Sequence, residues 1–169
     1  MLYIAGIESE SVVDGEGWRY SIFTQGCKHK CKGCHNPQTW EMNKGTEISV
    51  DELFNNIKNA FEENILMDGV TITGGDPMYQ PLEILELCKK LKSIDINIWM
   101  YTGFLYEEVV KDSDMSAILN YIDVLVDGPF IESLKSLELE YRGSKNQRLI
   151  DVPTTLKTGS ISLFKLEGE

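Results

Sequence analysis

The sequence predicts an α/β fold: a parallel sheet built from strand–helix units, with its working end at the C-terminal tips of the strands. Two patterns carry that expectation. Short β-rich runs alternate with stretches of helical period, which implies βα units and parallel strands. Successive strands also end alike, on turns rich in glycine, aspartate and threonine, where parallel α/β folds place their ligands. Composition agrees. The 169 residues are 42% hydrophobic and 25% charged, enough apolar material for one core, and the chain is expected to be a single domain over 1–169.

The first strand is expected over 18–24, running directly into a cysteine-rich loop. After a polar stretch comes a helix over 50–64. Ser49 and Glu52 have the spacing of a capping box, and Leu53, Phe54, Ile57, Ala60 and Phe61 form an apolar stripe of helical period. Residues 69–73 form the second strand, ending in Thr73-Gly74-Gly75-Asp76-Pro77, and a helix over 81–92 follows. The third strand, 96–101, meets Thr102-Gly103, and helical segments lie at 105–111 and 115–121. The fourth, 122–126, meets Asp127-Gly128-Pro129, and 148–152 is a candidate fifth. The cysteine loop and these three turns should therefore gather on one face.

Charge narrows the class. The net charge is -11, and no polybasic stripe offers a surface to nucleic acid or an anionic membrane. The first 20 residues carry Glu8, Glu10, Asp14 and Glu16 and no long apolar run, against a secretory leader. Three of the four cysteines are clustered, which suits a metal site in a reducing compartment better than a disulfide framework. A cytoplasmic protein is expected.

The chemistry is concentrated in Cys27-Lys28-His29-Lys30-Cys31-Lys32-Gly33-Cys34. Thiolates spaced C-x3-C-x2-C on one loop can hold three irons of a [4Fe–4S] cube and leave the fourth open to a substrate or cofactor. A structural zinc site with His29 or His35 as fourth ligand is the competing reading, since zinc accepts Cys3His, but zinc ligands usually come as two separated pairs. Cys88, the remaining cysteine, lies among Leu85 and Leu91 on a helical face and reads as core. Gly74-Gly75-Asp76-Pro77 alone would be a turn. Beside the cysteine loop it reads as backbone that approaches a ligand ammonium group, with Asp76 adding negative charge. Thr102 and Asp127, each at a strand tip, suit turn chemistry and ligand contact equally. Lys28, Lys30 and Lys32 read first as a solvated loop, and second as a patch that steers an acidic electron-transfer protein to the cluster.

These motifs resemble the radical S-adenosylmethionine enzymes, and within them the glycyl-radical-activating enzymes. The resemblance is carried by the cysteine spacing, by Asp14-Gly15-Glu16-Gly17-Trp18-Arg19 leading into Phe23-Thr24-Gln25-Gly26-Cys27, and by Cys34-His35-Asn36-Pro37-Gln38-Thr39-Trp40. Gly74–Pro77, Tyr101-Thr102-Gly103, the run from Asp123 to Phe130 and the run from Tyr141 to Arg148 point to the branch that acts on anaerobic ribonucleoside-triphosphate reductase.

The resemblance implies an incomplete (β/α)6 barrel, open on one side for a protein substrate. It implies a [4Fe–4S] cluster on Cys27, Cys31 and Cys34, with S-adenosylmethionine on the open iron. Gly74 and Gly75 match the segment at the methionine amino group, Gly33, Cys34 and His35 the stretch near the adenine, and Thr102 and Asp127 positions near the methionine carboxylate. Gly33 stands where many of these enzymes carry an aromatic residue before the third cysteine, and His35 where this branch usually has an aromatic after it. The implied activity is that of an oxidoreductase. Reductive cleavage of S-adenosylmethionine would leave a glycyl radical on the large subunit of the reductase, with a flavodoxin- or ferredoxin-type electron donor. An activase of another glycyl radical enzyme, a radical enzyme acting on a small molecule and a non-catalytic zinc module are the alternatives. The 142–148 segment speaks against the first two of these, and the Gly74–Pro77 segment against the third.

Overall fold

The computed structural model describes residues 1–168. In chain order it contains β1 (Leu2–Ser11), β2 (Arg19–Thr24), β3 (Thr46–Ile48), α1 (Val50–Glu63), β4 (Gly69–Gly74), α2 (Pro81–Lys92), β5 (Asn97–Tyr101), α3 (Tyr106–Val109), α4 (Ser113–Ile118), β6 (Val124–Asp127), β7 (Arg148–Asp151) and α5 (Val152–Thr158). The strands form one sheet in the order β3-β1-β2-β4-β5-β6-β7. Its centre, β2-β4-β5-β6, is parallel, as the βα alternation predicts. Its flanks are antiparallel: β1 pairs with β2, β3 with β1 and β7 with β6. The strand expected over 148–152 thus runs against its neighbour. The chain returns from β6 through a loop rather than a crossover helix, and only a crossover can set two strands parallel.

Side-chain alternation gives the sheet two unlike faces. Tyr20 and Ile22 of β2, Val70 and Ile72 of β4, and Ile98 and Met100 of β5 join the main apolar core with Leu53 and Ile57 of α1 and Ile84, Leu87, Cys88 and Leu91 of α2. Intervening positions on the other face include Arg19, Ser21 and Thr71, all buried, and Trp99, which forms a smaller cluster with Val124, Val126, Leu149 and Leu166. That mixed face lies under the 12–18 loop. Arg19, buried with no carboxylate within 4.0 Å among the described residues, donates to Thr71 Oγ1 (2.8 Å), the carbonyls of Glu16 and Val70 (each 2.9 Å) and Asn97 Oδ1 (2.8 Å), and burial lowers its pKa to about 10. Thr71 Oγ1 in turn donates to the Asp14 carbonyl at 2.6 Å, which clips the loop to the sheet.

Local signals account for most elements. Ser49 Oγ accepts from Glu52 N at 3.0 Å and starts α1, the first half of the capping box the spacing implies. Pro81 opens α2, with Lys89, Lys90 and Lys92 in its last turn, where cations suit the helix dipole. The unpredicted α5 has full punctuation: Asp151 caps Thr154 N at 3.1 Å, Pro153 follows, and Gly159 ends the helix at φ 75°.

Candidate functional site

The C-terminal tips of the four parallel strands converge, and each delivers a segment singled out above. β2 runs into Gly26 and the cysteine loop. β4 ends at Gly74, β5 at Tyr101, just before Thr102, and β6 at Asp127. Between them lies a cavity of about 440 Å³, lined among others by Cys27, Cys31, Cys34, His29, His35, Gly74, Gly75, Thr102 and Gly103. All three loop cysteines are free thiols; Cys27 is buried and the other two are half-buried. Burial pushes the Cys27 thiol up to about 11. Cys34 N donates to the Cys31 carbonyl at 3.1 Å and Asn36 N to Cys34 Sγ at 3.4 Å, so the last turn of the loop curls around its own sulfur.

The loop is fastened to the strand tips through the backbone. Asp76 N donates to the Gly26 carbonyl at 2.9 Å and Gly75 N to the Thr24 carbonyl at 2.8 Å. Gly74 sits at φ 99°, and a Cβ there would stand 2.3 Å from Thr24 N. Glycine is therefore required by the junction of β2 and β4 itself, whatever else its open backbone contacts.

Asp76 and Asp127 lie behind the cavity wall rather than on it. Asp76 is 1% exposed. Its carboxylate accepts from Thr102 Oγ1 (2.9 Å), Gly103 N (2.9 Å) and Met78 N (3.0 Å), and His29 Nε2 stands 2.7 Å away. One buried group thus ties the cysteine loop to the tips of β4 and β5. The His29 ring is wedged edge-on to Phe104 at 4.6 Å, and a Cβ on Gly103 would lie 2.6 Å from it. Asp127, fully buried, accepts from Arg148 Nε (3.0 Å), Arg148 Nη2 (2.5 Å) and Tyr106 N (2.8 Å). Arg148 also forks onto Glu107 at 2.8 and 3.2 Å. Both aspartates, read from the sequence as candidates beside the ligand, tie neighbouring strand tips together in this geometry. Gly33 is held at φ 78° beside Glu132 and Phe130, outside the cavity lining, while His35 faces Phe130 edge-on at 5.3 Å.

Several lining residues had no role assigned from sequence: Val13, Asp14, Tyr101, Phe130, Leu139, Tyr141, Arg142 and Gln147. Burial holds the Tyr101 phenol well above its ordinary pKa, and its hydroxyl donates to the Tyr141 carbonyl at 2.7 Å. Gln147 Nε2 donates to the Gly128 carbonyl (3.1 Å) and its Oε1 accepts from Gly143 N (2.8 Å), while Asn146 Nδ2 donates to the Pro129 carbonyl (2.7 Å). The 142–148 segment therefore grips the turn after β6. Its amide-rich composition was the available signal.

An iron–sulfur cluster fits the donor set. Three free thiols on one loop border one cavity, each able to take a separate iron. Among the described residues, no three His, Cys, Asp or Glu side chains gather around a single ion. Comparison with known proteins agrees in kind. A family described as "4Fe-4S single cluster domain" matches residues 13–150. The anaerobic ribonucleoside-triphosphate reductase-activating protein of Vibrio cholerae is 39% identical over 143 residues, covering 80% of this chain and 89% of that one. Its namesake in Escherichia coli strain K12 is 33% identical over 144 residues, covering 80% and 90%. Among solved structures, QueE from Escherichia coli superposes with a TM-score of 0.46 at 22% identity, over 60% of this chain and 52% of that one, a likeness too slight to argue from.

Proposed function

This chain belongs to the anaerobic ribonucleoside-triphosphate reductase-activating proteins, and we propose that it is a radical S-adenosylmethionine activase that installs a glycyl radical on that reductase. The observation that carries the proposal is the meeting of three free thiols with the Gly74–Gly75 backbone and Thr102 around one cavity at the tips of parallel strands. When bound, a [4Fe–4S] cluster and S-adenosylmethionine supply one-electron bond cleavage, ending in removal of a hydrogen atom from a glycine Cα of the reductase.

The chain's own residues provide placement. Cys27, Cys31 and Cys34 would hold the irons as thiolates, Cys27 against the burial that raises its thiol pKa. The backbone at Gly74 and Gly75 faces the cavity, ready for the amino group of the methionine moiety. Thr102, on the cavity wall, stands on the carboxylate side with its hydroxyl oriented by Asp76. Asp76 and His29 fix the cysteine loop against these groups, and Arg148 and Asp127 fix the turn after β6. Cys34, His35 and the Phe130 ring form the wall assigned to adenine, with Gly33 letting the loop turn there. Such a site needs orientation and exclusion of water more than a general acid or base. An incomplete β/α barrel, a cytoplasmic setting and a flavodoxin- or ferredoxin-type donor complete the proposal.

The test is anaerobic. Reconstituted protein should carry roughly four irons per chain, convert S-adenosylmethionine to methionine and 5′-deoxyadenosine with reductant, and give the reductase large subunit a glycyl doublet in electron paramagnetic resonance. Colourless protein that takes up one zinc and no iron would refute the assignment.

A further inference from the structure

We propose that the groove along the outer side of β7, between the 142–148 and 162–166 segments, takes an extended acidic stretch of the reductase; the inference rests on the function proposed above and deepens it. The groove has a volume of about 700 Å³ and adjoins the thiol-lined cavity, because Arg142 and Gln147 line both. Arg142, Lys145 and Lys165 stand among its lining, with Leu149, Leu163 and Phe164 as its apolar part, and among the described residues no carboxylate lines it.

The sign of this groove is opposite to that of the molecule. The chain carries 16 Lys and Arg against 27 Asp and Glu, yet among the described residues this lining includes cations and no acid. Arg148, also in the lining, is already matched by Asp127 and Glu107. Arg142, Lys145 and Lys165 have no carboxylate within 4.0 Å among the described residues. An acidic partner is repelled by most of this surface and attracted here, which selects one docking orientation.

The apolar part favours a polypeptide over a small anion. Leu163 is 60% exposed and offers nothing to a phosphate. An extended segment, with side chains alternating every second residue, can set apolar groups on Leu163 and Phe164 while carboxylates reach the cations. Recognition falls to side chains, because the chain's own 162–164 segment already pairs with β7 through Asp151 N to the Ser162 carbonyl (2.9 Å) and Phe164 N to the Leu149 carbonyl (2.8 Å). The shared wall at Arg142 then leads such a segment toward the cavity.

The test is the double charge reversal Lys145→Glu with Lys165→Glu, which leaves the cavity lining untouched. Binding to the reductase large subunit is measured by calorimetry at about 50 mM and about 300 mM salt, which spans the range where screening changes strongly. The wild-type affinity should fall at the higher salt. The variant should bind at least about tenfold more weakly at low salt and show a flatter salt dependence, while reductive cleavage of S-adenosylmethionine in the absence of reductase stays the same. Equal affinity and equal salt dependence overturn the proposal. So does tight, saturable binding of inorganic triphosphate in the groove that the reductase cannot displace, which would make it a small-polyanion site. Failure of the wild type to cleave S-adenosylmethionine counts against the proposed function alone. The binding arm needs neither reductant nor S-adenosylmethionine and still decides the groove.

Discussion

A carboxylate that accepts from Thr102, Gly103 and Met78 while facing His29 has its lone pairs committed to the protein. Removing it strands several buried donors at once. Asp76→Ala should therefore cost about 3–5 kcal/mol, the range for breaking a buried charged network by deleting one partner, read as a shifted urea midpoint with an unchanged slope. It should also free the cysteine loop, seen as faster hydrogen exchange at Gly103 and His29; unchanged exchange there would show that the loop is held by something else. The cysteines divide in a way that needs no activity assay. Cys34→Ala should fail to retain iron after anaerobic reconstitution. Cys88 is fully buried in the core, its thiol pushed up to about 12 by that burial. Cys88→Ala should keep its iron and lose only about 1 kcal/mol, the scale of one deleted core group.

At the scale of elements, Arg148 joins three pieces of chain: its own strand β7, the tip of β6 through Asp127, and the first turn of α3 through Glu107. Arg148→Lys should not rescue the site, because an ammonium cannot fork onto two carboxylates as a guanidinium does. Hydrogen bonding to Arg148 holds the exposed Glu107 carboxyl below its ordinary 4.5. A depressed folded-state pKa contributes stability that is fully present above the unfolded value and is lost as pH falls through the folded value. Glu107→Gln should thus lower stability slightly at neutral pH and flatten the profile only on the acid side of about pH 5, modestly, since the group is solvent-screened; a change of slope near neutrality would contradict this. The Asp127–Arg148 pair was invisible in the sequence because the β6–β7 register brings it together across a long loop, and no local pattern encodes that register. The same limit hid β1. Of its ten residues only Leu2, Ile4 and Ser11 are buried, so alternation is lost where the strand runs exposed, and its partner β3 has three residues. Helices α1 and α2 were legible because Ser49 and Pro81 mark their starts and their apolar stripes face a continuous core. The supporting part of Asp76 was not, because its partners come from three separate segments.

For the whole molecule, the site is a consequence of sheet topology: four parallel strands all point their C-terminal ends one way, and the cysteine loop, the Gly74–Pro77 turn, Thr102 and Asp127 meet only when that sheet has formed. A ligand that spans them therefore binds the folded state and reports on it. Cluster loading should raise the melting temperature, because anything held by the native arrangement and not by the open chain stabilises in proportion to its occupancy. For a chain of this size each kcal/mol of coupling is worth about 2–4 °C. The rise should be smaller than cluster affinity alone implies, since C-x3-C-x2-C is local in sequence and its thiols can hold some iron even when the sheet is open. That gives a graded expectation under anaerobic calorimetry. Loaded wild type melts highest and cluster-stripped wild type several degrees lower. Loaded Asp76→Ala gains less from its cluster than wild type does, because the link from loop to sheet has been cut. Equal gains in the two proteins would mean that the cysteine loop carries its cluster independently of the strand tips, and that the convergence seen at the sheet end does not help to hold it.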